Sequence, residues 1–151
     1  MSVMRRLIQR FREQRGQAII EFAFIAPILF VFLFTIVDFG IAMDRRIMVQ
    51  HAVREGARFA AVDADCQAIR QTTSDQAQDI ISPADVTVSY DANPAERGDR
   101  VEVSAAFTYE PWIFNSIGKL FGVSSPAIDM SPDASARLEQ AVTDASGCSG
   151  P

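Results

Sequence analysis

Polar and apolar positions divide this chain sharply. Residues 1–16 are basic and polar, and Phe22–Val37 then run sixteen positions, FAFIAPILFVFLFTIV, without a charge. Ala18, Ile19 and Ile20 extend the run upstream, while Phe39, Ile41, Ala42 and Met43 extend it past Asp38. As a helix, residues 18–43 rise about 39 Å at about 1.5 Å each, more than a hydrocarbon core of about 30 Å. Five phenylalanines fall within residues 22–34, more than one helix flank of a small soluble domain can hide. The pattern predicts a membrane-spanning helix over 17–43, with Pro27 tolerated inside it and a candidate kink. A cleaved secretory signal fits poorly. No A-x-A site with a polar sequel follows the run, and Glu21 sits where such a signal is free of charge.

The helical pattern continues beyond the run. Met48, Ala52, Phe59 and Val62 fall near one face, with Ile41 and Glu55 in line, and Arg45, Arg54 and Arg58 lie largely elsewhere. One helix over 17–62 would be about 69 Å long, weakened at Gly56 by roughly 1 kcal/mol relative to alanine. Residues 66–82 read as a short amphipathic helix with Ile69, Ala77, Ile80 and Ile81 apolar and Pro83 just past its end. Val86–Tyr90 alternates with period two, and residues 91–99 form a turn or loop. Arg100–Tyr109 alternates again, with Val101, Val103, Ala105, Phe107 and Tyr109 on one face. Residues 111–125 are apolar but irregular, containing Pro111, Gly118 and Gly122, and residues 127–139 resume as a strand interrupted by Pro132. The expected fold is α+β: a long N-terminal transmembrane and spine helix, then a small head with a short helix and an antiparallel sheet of about three strands. The expected divisions are a basic leader at 1–16, the span at 17–43, an extension of the helix at 44–65 and the head at 66–151.

Charge orients this arrangement. Residues 1–16 hold five arginines against Glu13, a net of +4, which leaves −9 for the rest of a chain whose total is −5. The arginines favour a cytoplasmic N-terminus. Arg45 and Arg46 argue weakly the other way, but Asp38 and Asp44 accompany them. The head is therefore expected outside the cytoplasm. Its acidity gives no support for nucleic-acid binding, which usually needs a basic face. The two cysteines, Cys66 and Cys148, fit no zinc or C-x-x-C redox spacing. In an oxidising compartment they become a candidate disulfide tying the Gly/Ser-rich tail to the start of the head; in the cytoplasm they would be two unrelated thiols.

Glu21 is the anomaly, a carboxylate near the start of a segment built to leave water. It can reach water from the headgroup layer, but intramembrane ionisable residues are usually functional. Gly16 and Glu21 stand in the G-x-x-x-x-E spacing at which type IV prepilins are processed, between a basic leader and a long apolar helix as in that class. The segment RGQAIIEFAFIAPILFVFLFTIVDFGIAM, followed by VQHAVREGARFAAV, resembles the TadE-like family of pseudopilins from the tight-adherence (Flp-type) pilus system. Gly16, Gln17, Ala18, Glu21, Phe22, Ala23, Pro27, Asp38 with Gly40, Arg54-Glu55-Gly56-Ala57-Arg58, Ala60 and Ala61 carry the resemblance, over about residues 15–62. Asp133–Glu139 is a vaguer match. The family often has Tyr after the glutamate where Phe22 stands here, and the chain is longer than the major pilins of such systems, which makes it resemble a minor component.

The resemblance implies cleavage between Gly16 and Gln17 by a prepilin peptidase. The new α-amino group, positive at neutral pH, would then pair with Glu21 of a neighbouring subunit. The implied partners are other pilins or pseudopilins, the peptidase, the inner-membrane assembly platform and the lipid bilayer. The implied location is a bacterial inner membrane with a periplasmic head, and incorporation into an extracellular pilus. No cofactor or metal is implied. Two other readings remain open from the sequence: an uncleaved single-pass anchor with a binding head, and an adhesive subunit at a pilus tip.

Other motifs carry little. His51 and Glu55 are four apart on the spine with no second histidine, and Arg97-Gly98-Asp99 is a triplet common by chance in turns. Gly118-Lys119 lacks a phosphate loop's glycine run. Asp133-Ala134-Ser135-Ala136-Arg137 breaks the D-x-S-x-S pattern of larger relatives at its last position. No Ser/His/Asp set is available, so nothing supports catalysis. The apolar stretch PWIFNSIGKLF is expected to pack on the sheet, or else to form a partner or membrane-surface patch.

Overall fold

A computed structural model describes residues 2–62, 65–122, 127–143 and Cys148. Its long axis is one helix, α1 (Ser2–Ala60), which carries Pro27 internally. From Ile19 to Phe39 its large apolar side chains are exposed, apart from the half-buried Phe34. The span of 44 residues from Gln17 to Ala60 is long and apolar enough to cross a membrane, with a mean hydropathy of 2.6 in its most apolar window. A surface of this kind is stable only where lipid or other protein replaces water.

Above that band α1 changes role. Ala42, Val49, Ala52, Val53, Ala57, Ala60 and Ala61 are buried, while Val62 and Ile47 stay exposed. The face turned to the head is thus set by small size more than by hydrophobicity. Of the expected stripe, Ala52 is buried, Met48 and Phe59 lie at the margin and Val62 is exposed. Gly56 shows why. A Cβ built there would sit 2.1 Å from Thr73 Oγ1 of the next helix, so α2 (Cys66–Gln76) approaches α1 more closely than any side chain permits. Asp65 caps α2, its side chain accepting from the amides of Gln67 and Ala68. The helix ends at Gln76, earlier than the apolar pattern to Ile81 suggests, because Gln78 and Asp79 both take positive φ.

The head's main sheet has the order β1-β2-β5 and is antiparallel throughout. Its strands are β1 (Val86–Tyr90), β2 (Arg100–Ala105) and β5 (Asp133–Arg137). Val88 lies opposite Val103, and Val103 opposite Ala134. Val86, Val88, Val101 and Val103 point inward with Ile69 of α2 and Val49 and Val53 of α1. Each such buried aliphatic side chain contributes about 1.5–3 kcal/mol relative to exposure. The expected α+β class and three-stranded sheet are both present. The strand expected over 100–109 is two strands, because Ala106 leaves the ladder and donates its amide to Asp85 O at 3.1 Å. The remainder, β3 (Phe107–Tyr109), pairs with β4 (Ile128–Met130) in a separate two-stranded sheet. The region expected to be irregular contains α3 (Trp112–Phe121), ended by Gly122 at φ 69°. This left-handed terminus suits glycine.

The end of α1 is tied to the far side of the head. Glu139 donates its backbone amide to Ala61 O at 2.8 Å, and the Gln140 side-chain Nε2 donates to Val62 O. These bonds satisfy carbonyls that a helix C-terminus leaves open.

Candidate functional site

Two places on α1 hold side chains that an apolar spine does not need. The first is the sequence around Gly16. Helical structure runs unbroken past it. Glu21 is exposed on the surface of the helix, and Gln17 Nε2 donates to Glu21 Oε1 at 3.0 Å. This bond is the ordinary i,i+4 geometry of a helix face. It leaves the carboxylate with further acceptor capacity, since two oxygens offer about four lone-pair positions. Gln17 and Glu21 therefore form one polar patch at the mouth of an apolar surface. Among the described residues, Glu21 makes no contact with the head.

The second place is Asp38. Its position inside the apolar run looks costly, yet it is only 3% exposed. Oδ2 accepts a hydrogen bond from the backbone amide of Phe114 at 3.1 Å. Phe114 is the third residue of α3, whose N-cap is Pro111 and makes no side-chain cap. The amides of a helix's first turn have no partner inside the helix. A carboxylate there also meets the positive end of the dipole. Asp38 thus supplies from α1 the cap that α3 lacks in its own sequence.

Tyr109, at the end of β3, is 2% exposed beside this contact. Burial holds its hydroxyl protonated to higher pH than usual, the nearby Asp38 charge adds to this, and Arg45 opposes it. The Arg45 guanidinium lies over the Tyr109 ring, 5.3 Å from its centroid. Asp38 Oδ1 and Tyr109 Oη are buried without a hydrogen bond of normal geometry, although Asp38 and Tyr109 act on each other electrostatically. Asp38, Arg45, Tyr109 and the start of α3 form a polar joint where the head meets the top of the apolar band. The sequence shows Asp38 as an interruption of the apolar run, as an acid beside Arg45 and Arg46 and as part of the family resemblance, but not its contact with α3. Its signal was the same as that of Glu21: a carboxylate in an apolar run needs a partner.

Elsewhere the candidates separate. Glu55 pairs with Arg58 at 2.7 Å, and His51 is exposed. Among the described residues no group of three or more His, Cys, Asp and Glu is placed to hold a metal ion. In the Arg97–Asp99 turn, Asp99 accepts from the Glu96 amide at 2.7 Å and so serves the turn itself. Cys66 and Cys148 form a disulfide with Cα atoms 5.2 Å apart, linking the start of α2 to the tail across 82 positions. Arg70 donates to Cys148 O at 3.0 Å.

Residues 16–58 match the model of a family described as TadE-like protein. The match begins at Gly16, contains Gln17, Glu21 and Asp38, and ends within α1 before the head. No curated protein and no solved structure matches the chain significantly. The matched segment is similar to a family whose description suggests a link to the tight-adherence pilus system. Among the described residues one helix is long and apolar enough to cross a membrane, which suggests anchoring there.

Proposed function

We propose that this chain is a minor pilin or pseudopilin, cut after Gly16 by a prepilin peptidase and assembled through its spine helix into a tight-adherence type IVc pilus. The observation that carries the reading is the coincidence at one end of α1. The TadE-like match opens at Gly16, and five positions on an exposed carboxylate stands at the start of an exposed apolar surface. Cleavage makes Gln17 the first residue, and its amine lies in the same membrane layer as Glu21. Pairing between the amine of one subunit and Glu21 of the next is favoured in low dielectric over two isolated charges. It also fixes the axial register of neighbouring helices. The apolar band that faces lipid before assembly faces other spines afterwards.

The five arginines of residues 1–16 hold the leader in the cytoplasm, which places the head in the periplasm, where the Cys66–Cys148 bond forms and persists. The partners are other pilins of the system, the peptidase and the inner-membrane assembly platform. The joint at Asp38 keeps the head in one position on the spine, so that subunits packed through their helices present their heads uniformly.

The test is Glu21→Ala in a piliated host. Membrane insertion and cleavage remain, and the subunit disappears from sheared pili. Normal incorporation of the variant would remove the charge pair from the mechanism.

A further inference from the structure

We propose that α3 is a membrane-surface helix that rests in the outer headgroup layer beside the spine, with Trp112 as its anchor in lipid. The inference builds on the reading of α1 as a membrane anchor and adds a second, separate contact with the bilayer.

Position is the first argument. The exposed apolar band of α1 runs from Ile19 to Phe39, about 30 Å at about 1.5 Å per residue, which matches the hydrocarbon thickness of about 30 Å. Asp38 therefore lies at the outer edge of the hydrocarbon. The Asp38–Phe114 hydrogen bond of 3.1 Å pins the start of α3 at that same level. Trp112, two residues before Phe114, is 63% exposed there. The charged stretch Asp44-Arg45-Arg46 begins about 9 Å further out along α1. The first turn of α3 is thus held between the edge of the apolar band and the first exposed charges of the spine, the layer in which interfacial helices lie.

Composition is the second argument. The chain has one tryptophan and one lysine, and both are in α3, as Trp112 and Lys119. Tryptophan is enriched at membrane–water interfaces, and lysine lays its stem on apolar surface while its ammonium reaches phosphate and water. The helix itself, WIFNSIGKLF, contains no acid. The rest of the head is strongly acidic: residues 66–151 hold twelve Asp and Glu against five Arg and Lys. Anionic lipid repels most of that surface. The acid-free helix is the part of the head suited to lie against it. A second copy of the chain is the competing occupant, but it would have to seat an exposed indole at the height where the headgroups already lie.

The full chain in nanodiscs of phosphatidylcholine and phosphatidylglycerol tests this directly, because Trp112 is the sole indole. The reference is a Trp112→Phe, Val62→Trp variant, whose indole sits at the far end of the spine on an exposed position. Lipids brominated near the headgroup end of the acyl chain should quench Trp112 strongly and the reference indole little. Aqueous acrylamide should quench Trp112 several-fold less than the reference. Quenching of Trp112 by acrylamide as complete as in the reference, with no effect of brominated lipid, overturns the proposal. Protection from both quenchers also overturns it, since the indole is then covered by protein. Alkaline carbonate extraction of the expressing membranes separates the two readings. Release of the chain removes the anchor and the surface helix together. Retention alongside a negative quenching result confines the failure to α3.

Discussion

The carboxylate of Asp38 and the amide of Phe114, 76 positions apart in the chain, meet at 3.1 Å and join the head to the spine. A charge-assisted bond to a helix N-terminus is worth about 1.5–3 kcal/mol. Its loss also leaves the first turn of α3 uncapped. Asp38→Ala is expected to raise amide hydrogen exchange across residues 112–116 by about tenfold or more while leaving β1 and β2 protected. Asp38→Asn keeps an acceptor and should fall between. Unchanged exchange at Phe114 in Asp38→Ala would show that α3 is held by other contacts.

Gly56 and Thr73 set how closely α2 lies on α1. Gly56→Ala gains roughly 1 kcal/mol of helix propensity but places a methyl 2.1 Å from a buried hydroxyl. That overpacking costs about 1–3 kcal/mol. The expected net result is a lower melting temperature for the head, partly recovered by adding Thr73→Ala, which opens the space. A Gly56→Ala chain as stable as the parent, or a double variant showing no coupling, contradicts this packing.

Tyr109 makes the joint sensitive to alkali. Burial first, and Asp38 second, raise its pKa above 10.0. A group whose folded pKa is raised contributes stability that is complete below the unfolded value and is lost as pH rises through the folded one. Urea unfolding of the detergent-solubilised chain should therefore show stability falling above about pH 10, with a shallower fall in Tyr109→Phe. The two proteins should agree at pH 7 within about 1 kcal/mol, because the hydroxyl has no normal hydrogen bond to lose. Parallel pH profiles for the two would exclude this role.

Much of the architecture could be read from the sequence. The apolar run and the alternation at Val86–Tyr90 and Val101–Val103 gave the spine and the centre of the sheet, because burial on one face leaves a direct periodic trace. The break at Ala106 left none: Val101 to Tyr109 keep one face through it, so period two cannot show that the chain changes sheets. The helix α3 was hidden because its cap lies on another element, at Asp38, while Pro111 and Gly118 made the stretch look irregular. Gly122 at its end was the available sign. On the inner face of α1 the stripe finds Ala52, but Met48, Phe59 and Val62 mark its edge or outside, because the close approach at Gly56 selects small residues there. Of the proposed functional features, Gly16 and Glu21 are legible because the cleavage and pairing proposed for them would depend on local spacing. The joint of Asp38, Arg45 and Tyr109 depends on the folded head and has no local pattern.

The most direct test of the account is the N-terminus of the protein purified from the membranes of a host that carries the cognate prepilin peptidase. Intact-mass and N-terminal peptide measurements should find a chain that begins at Gln17. A chain that retains Met1 or Ser2 under the same conditions would contradict processing, and with it the proposed pairing of a new amine with Glu21.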